Sequence, residues 1–207
     1  MGKKLKFVTV ALGISFLVMG CATPRTQIPM EQGSSQPGGM VTRGGAAVKL
    51  LGTAVSLGKP LPSVKLVDAM TMKDVDLSQE KGAVLFLSIV PSIDTKVCEE
   101  QTHYLGEEGE KLAKEIRRIT ISRDTPFAQK RFAEEAKLTN LQYLSDYKEG
   151  GFGKATGLLM EGSMLLARSV VLVDKKGLIR YIQVVPEITR LPDMEKAFQK
   201  AAELAKE

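Results

Sequence analysis

Thr95 and Cys98 stand three residues apart, where a run of apolar residues gives way to a polar, helix-forming segment. Val90-Pro91-Ser92-Ile93-Asp94-Thr95-Lys96-Val97-Cys98 should join a buried strand to the following helix, and Asp94 or Ser92 is the expected N-cap. Cys98 then falls in the first helical turn. Unpaired backbone N–H groups and the positive end of the helix dipole favour a thiolate there, and a thiolate is a strong nucleophile. Thr95 lies one turn back on the same face, so its hydroxyl can reach the sulfur or an incoming oxygen. Arg168 is a third candidate. A cation beside the apolar run Val170–Val173 is costly unless it meets an anion.

These residues need a scaffold. Residues 83–90 (AVLFLSIV) read as a central strand covered on both faces. A helix is expected from Thr95 to about Lys114, a strand over 116–122, a helix over 125–137 with Pro126 at its first position, and a strand over 141–144. Further strands are expected over 64–67, 75–77, 165–173 and 178–185, and the pattern 48–57 suggests a hairpin turning at Gly52. Met194, Ala197, Phe198, Ala201 and Leu204 form one face of a closing helix. Strands alternating with helices argue for an α/β domain with a mixed sheet flanked by helices and an N-terminal β-hairpin extension.

The first 21 residues resemble a signal peptide ending in a bacterial lipobox. Lys3, Lys4 and Lys6 precede an apolar region of 13 residues, Phe7–Met19, and Gly20-Cys21-Ala22 follow. Thirteen residues at ~1.5 Å each span ~20 Å, short of the ~30 Å hydrocarbon core. The resemblance implies acylation of Cys21 as a lipid anchor, which makes this an exported, membrane-anchored lipoprotein, at the periplasmic face if the cell is diderm. Plain cleavage after Ala22, giving a soluble periplasmic protein, and a retained anchor are the alternatives. In either cleavage route Cys21 is acylated or removed. One remaining cysteine, Cys98, cannot form an internal disulfide. Residues 22–40, rich in Pro, Gly, Ser, Thr and Gln, read as a flexible tether, and residues 41–207 as the folded domain.

Composition excludes other chemistry. One His and no Cys/His zinc spacing leave no expected metal or cofactor site. The formal charge of +5 owes three lysines to the leader; without them 26 basic residues face 24 acidic ones, with no basic stripe for nucleic acid. His103 sits ~140° around the helix from Cys98, so a Cys–His dyad is not expected. Gly150, Gly151, Gly153 and Gly157 are too loosely spaced for a phosphate loop and read as turns.

Pro91, Thr95 and Cys98 match the P-x-x-x-T-x-x-C pattern of the peroxiredoxins. PSIDTKVC, SRDTPFAQKRF, LSDY with FGKATG, LLARSVVLVD and VPEIT further resemble the bacterial thiol peroxidase subfamily, from about Val41 to the C-terminus. The resemblance implies a thioredoxin-like fold and reduction of hydrogen peroxide and small organic hydroperoxides. It also implies a homodimer. Cys98 would be the peroxidatic cysteine, Thr95 the hydroxyl bonded to thiolate and peroxide, Pro91 the shield against water, and Arg168 the cation that favours the thiolate and steadies developing charge. One departure stands out: subfamily members with two cysteines place the resolving cysteine after R-F in the next helix, and here Ala133 follows Arg131-Phe132. A sulfenic acid on Cys98 then needs an external thiol, with a thioredoxin-like donor favoured, or a Cys98–Cys98 disulfide between subunits. A non-turnover redox sensor or binding lipoprotein on the same fold is the alternative function. A thiol–disulfide oxidoreductase is disfavoured because Thr95, not Cys, sits three residues before Cys98.

Overall fold

The continuous apolar run at 83–90 becomes an interior strand of a seven-stranded sheet, as a strand without polar alternation requires. The computed structural model describes residues 1–2 and 28–207. In chain order these form β1 (Met30–Glu31), β2 (Met40–Arg43), β3 (Ala46–Leu51), β4 (Lys65–Asp68), β5 (Asp74–Asp76) and β6 (Val84–Ile89). Helix α1 (Lys96–Glu107), β7 (Ile116–Ser122), α2 (Pro126–Glu135), β8 (Gln142–Ser145) and α3 (Gly151–Thr156) follow. The chain closes with β9 (Leu159–Met160), β10 (Ser169–Val173), β11 (Ile179–Val184), β12 (Leu191–Pro192) and α4 (Met194–Ala205).

The main sheet has the order β11-β10-β6-β7-β8-β4-β5. Strands β6, β7 and β8 run parallel, while β10 is antiparallel to both β6 and β11. Period-two alternation divides the core in two. Leu85, Leu87 and Ile89 face a cluster shared with Val41, Leu50 and Phe152. Val84 and Phe86 face Leu105 of α1, Ala133 of α2, and Met194, Ala197, Ala201 and Leu204 of α4. A mixed sheet with helices on both faces is the expected thioredoxin-like arrangement.

Four local expectations are corrected. The hairpin is β2–β3, closed by the pair Arg43–Ala46 around Gly44 (φ +58°) and Gly45 (φ +82°), a two-residue turn that needs positive φ at both centres. Gly52 is needed for another reason: a Cβ there would collide with the Lys154 carbonyl. Helix α1 ends at Glu107 and tightens into a 3-10 turn over Glu108–Lys111. The glycines at 150–157 bracket a short helix, α3, with Gly150 and Gly157 left-handed at its two ends.

The fourth correction concerns the tether. Residues 3–27, with the signal peptide, Cys21 and the first part of the tether, lie outside the described residues. From Pro29 the chain is paired, not free. Strand β1 runs parallel to β12, the Ser35 N–H donates to Val184 O (2.8 Å), and Gln183 Nε2 donates to Glu31 O (2.6 Å) and Gly33 O (3.1 Å). The segment has too few apolar residues to fold alone. It pairs with β12 and with the end of β11, where Ser34 and Ser35 satisfy both backbone groups of Val184. The ordered unit therefore begins before the expected boundary at residue 41.

Candidate active site

Pairing β10 antiparallel to β6 sets Ser169 opposite Ile89, which brings the start of β10 to the carboxyl end of β6. Arg168 thereby meets the first turn of α1, 70 residues earlier in the chain. Cys98 is the third residue of α1, and the first main-chain bond of the helix runs from Glu99 N to Thr95 O (2.9 Å). The Cys98 N–H thus belongs to the unpaired first turn.

The N-cap is Thr95, in place of Asp94 or Ser92, with extended backbone at φ −141°. Its side chain makes no capping bond and instead donates to Cys98 Sγ at 3.0 Å. Ser92 has a different task. It donates from Oγ to Asp124 Oδ1 (2.7 Å), while the Ile93 N–H donates to Asp124 Oδ2 (2.8 Å). Asp124, at the end of β7, therefore holds the loop that presents the cysteine.

Arg168 is 2% exposed. Its Nε donates to Ile188 O (2.8 Å), one terminal nitrogen donates to Gln101 Oε1 (2.8 Å) and to Val97 O (3.4 Å), and the other reaches Cys98 Sγ at 3.2 Å. Burial pulls the Arg168 pKa below its ordinary value, and the neighbouring sulfur opposes that by favouring the cation. Arginine stays charged under either influence. Gln101 is itself buried and donates from Nε2 to Ser88 Oγ (2.8 Å), so a chain of polar groups runs from Ser88 to the sulfur.

Cys98 is fully buried and packs against Val90, Ile93 and Phe132. Above it opens a cavity of about 190 Å³ lined by Pro91, Thr95, Val97, Met160, Arg168 and Ile188, with Arg43 and Thr189 at its exposed side. The structure brings Pro91, Thr95, Cys98 and Arg168 together. A larger groove of about 610 Å³, between Leu112 and Gln142, contains none of them. His103 stands apart from them, half-buried, with Nδ1 3.0 Å from Glu107 Oε1 and its ring edge-on to Phe132.

A sulfur that receives a hydroxyl and a guanidinium at a helix start is placed to attack an electrophile and to have the charge that develops stabilised. The Redoxin family profile matches residues 56–198. The thiol peroxidase of Staphylococcus saprophyticus is 41% identical over 152 residues, 73% of this chain and 91% of that protein. The thiol peroxidase of Bacillus subtilis is 36% identical over 166 residues, 80% of this chain and 98% of that one. Among solved structures, a peroxiredoxin-like protein from Aquifex aeolicus superposes with a TM-score of 0.74 at 33% identity, covering 80% of this chain and 96% of that one. The chain belongs to the thiol peroxidase subfamily of the peroxiredoxins.

Three parts of this peroxiredoxin's site escaped the sequence reading. Gln101 had a signal: a polar residue three after Cys98, on the same helical face. Ser88 had one too, as the polar residue in an otherwise apolar run. Asp124 stands in the SRDTPFAQKRF segment, but no local pattern gives its role, which is to accept hydrogen bonds from a loop distant in sequence. Ala133, at the position of the expected resolving cysteine, is fully buried on α2.

Proposed function

We propose that this chain is a thiol-dependent peroxidase whose Cys98 thiolate reduces hydrogen peroxide and small organic hydroperoxides. The convergence of Thr95 Oγ1 (3.0 Å) and Arg168 (3.2 Å) on one sulfur carries the reading. The sulfur attacks the terminal oxygen of ROOH, the O–O bond breaks, and its electron pair leaves on RO⁻, which takes a proton and departs as ROH. Sulfur is oxidised by two electrons, to the sulfenic acid. Charge moves from sulfur toward the departing oxygen, and Arg168 and the Thr95 hydroxyl are placed to follow it. Pro91 keeps water from the sulfur. The sensor alternative is not favoured, given the enzymes that the chain resembles.

Recycling uses an external thiol. It attacks the Cys98 sulfenic sulfur, water leaves, and a second thiol resolves the mixed disulfide, restoring Cys98. Full burial of Cys98 supports this route over a Cys98–Cys98 bridge. A bridge would need two buried sulfurs to be exposed at once, whereas a mixed disulfide needs only one to be reached. A protruding thiol of a thioredoxin-like donor can enter the cavity. A homodimer, as in the resemblance, completes the assembly proposed.

Cys21 is proposed as a lipid anchor that holds the protein at a membrane. Because the chain is paired from Pro29, residues 22–28 are the connection from the acylated cysteine to the fold. Seven extended residues reach at most ~25 Å, so the domain sits close to the bilayer.

One experiment tests the chemistry. The reduced mature domain is mixed with one equivalent of hydrogen peroxide, sulfenic acid is trapped, and the adduct is located by mass spectrometry. An adduct on Cys98, absent in Cys98→Ser, is expected; none within seconds removes the peroxidase reading. Labelling with an alkynyl fatty acid, lost in Cys21→Ala, tests the anchor.

A further inference from the structure

The Arg168 guanidinium is held in place from two sides. One terminal nitrogen donates to Gln101 Oε1 and Val97 O, both on α1, the helix that carries the sulfur. Among the described residues its one hold from outside that helix is Ile188 O, which accepts from Arg168 Nε at 2.8 Å. Ile188 belongs to neither flanking strand: β11 ends at Val184 and β12 begins at Leu191. A carbonyl on such an irregular stretch can aim a guanidinium only if something else fixes the stretch.

Hairpin β2–β3 supplies the fixing. Thr42 N donates to Pro186 O (2.6 Å), and Ile188 N donates to Thr42 O (3.0 Å). Between these two bonds stands Glu187, half-buried, whose side chain crosses to the hairpin turn. Its Oε1 accepts from Gly44 N (3.0 Å), Thr189 N (3.1 Å) and Thr189 Oγ1 (2.8 Å). Its Oε2 accepts from Gly45 N (3.0 Å) and Thr42 Oγ1 (2.9 Å). The two glycines, both at positive φ, aim adjacent N–H groups at one carboxylate, a nest for an anion. Ile188 thus has a pinned residue on each side, and its carbonyl cannot swing away from Arg168 without breaking bonds to Glu187.

We infer that Glu187 is a positioning residue for peroxide reduction, which sets the Arg168 guanidinium on the Cys98 sulfur through Ile188 O. This rests on the peroxidase reading above and extends it to a residue that does not line the cavity over Cys98. The reaction itself is unchanged, and Glu187 neither gives nor takes a proton in it. Its work is geometric: the contact of Arg168 with Sγ is 3.2 Å, and a donor displaced from such a distance stabilises developing charge far less well.

A double-mutant cycle separates this role from a general loosening of the hairpin. Oxidation of Cys98 by hydrogen peroxide is followed by stopped flow in the unaltered protein, Glu187→Gln, Arg168→Met and the double variant, at a temperature where melts show all four folded. Whichever way the new amide turns, one glycine N–H of the nest faces an NH2 group. Glu187→Gln is expected to slow oxidation about 10-fold where Arg168 is present and less than ~2-fold where it is not, because the side chain acts through the guanidinium. Thr42→Val, which removes only the hydroxyl bonds to Glu187 and Pro186 O, should give the same pattern at smaller size, and it serves if the Gln variants do not fold. Equal slowing in both backgrounds, or slowing in neither, overturns the inference and leaves the peroxidase reading intact. No oxidation of the unaltered protein overturns the peroxidase reading and the inference with it.

Discussion

The hydroxyl of Thr95 caps the sulfur of Cys98, at 3.0 Å, and not the helix that it begins. Thr125, the N-cap of α2, does the ordinary thing and accepts from Ala128 N at 3.3 Å. The two threonines are therefore a matched pair for separating chemistry from stability. Thr95→Val should slow oxidation of Cys98 by hydrogen peroxide about 100-fold, the scale for losing one donor aimed at developing charge. Thr95→Ser should restore most of that rate. Thr125→Val should leave the rate near that of the unaltered protein and lower stability by about 1 kcal/mol, the usual loss for a helix cap. Stopped-flow rates with thermal melts on the same samples decide it. Equal rates for Thr95→Val and the parent would remove Thr95 from the mechanism.

Gln101 gives Arg168 a neutral partner, so the guanidinium charge is left undivided for the sulfur. Gln101→Glu keeps the size and the hydrogen bond from Arg168, leaves Ser88 Oγ to donate in place of accepting, and adds a competing anion beside the guanidinium. The variant should show less thiolate ultraviolet absorbance at neutral pH and react with peroxide about 10-fold more slowly, the effect of roughly 1.4 kcal/mol. A merely structural role for Gln101 would change the melting temperature and leave the thiolate signal alone. Arg168→Lys should be worse on both measures, since an ammonium has no fork to hold Ile188 O, Gln101 and Sγ together.

Why some of this was legible and some was not follows from what each contact leaves in the sequence. Strand β6 announced itself because burial on both faces demands an unbroken apolar run, and Arg168 did so because a cation beside such a run needs an anion. The pairing of Arg168 with Cys98 came from resemblance and from charge, while its cause, the β10–β6 register, is a long-range property. The Gly44–Gly45 turn carried the stronger hairpin signal, two adjacent residues free to take positive φ, yet Gly52 drew the expectation because apolar residues flank it. Gly52 serves a close approach to Lys154 that no local pattern encodes. Asp124 and the strap at 29–40 act across long stretches of sequence, Asp124 on Ser92 and the Ile93 N–H and the strap on Gln183, Val184 and Arg190, and no local pattern encodes such pairings.

Glu187 makes the hairpin pH-sensitive. Partial burial raises its pKa, but donors from Gly45, Thr189 and Gly44 outweigh this and hold it at about 2, below the ordinary 4.5. A carboxylate with a depressed folded pKa contributes stability above its unfolded value and loses it as pH falls through the folded one. The contribution is present above pH 4.5 and lost between 4.5 and about 2. Glu187→Gln should be less stable at pH 7 by about 1–2 kcal/mol, allowing for solvent screening of a partly exposed group. The difference should shrink across that acid window, because Asp68, Asp76 and Asp174 titrate alike in both proteins. Denaturant unfolding at several pH values measures it; a difference constant from pH 7 to 2 would deny Glu187 the role.

The strap over β11 makes a prediction about association. Residues 30–35 satisfy the edge of β11 through Ser35 N to Val184 O and the Gln183 amide, and Arg190 pairs with Glu31 at 3.0 Å. None of residues 29–40 lines the cavity over Cys98. A chain begun at Met40 should therefore keep its rate of oxidation by hydrogen peroxide while baring β12 and the backbone groups of Val184 at the end of β11. Each lost bond is worth only about 0.5–1.5 kcal/mol net, and the freed segment regains entropy, so the melting temperature should fall by a few degrees. Association should respond more strongly. Sedimentation of the shortened chain, compared with one begun at Ala22, is expected to show larger species as concentration rises, because the newly open edge can pair with another copy. Identical sedimentation for the two chains would mean that β11 protects its own edge, and that the strap has some other use.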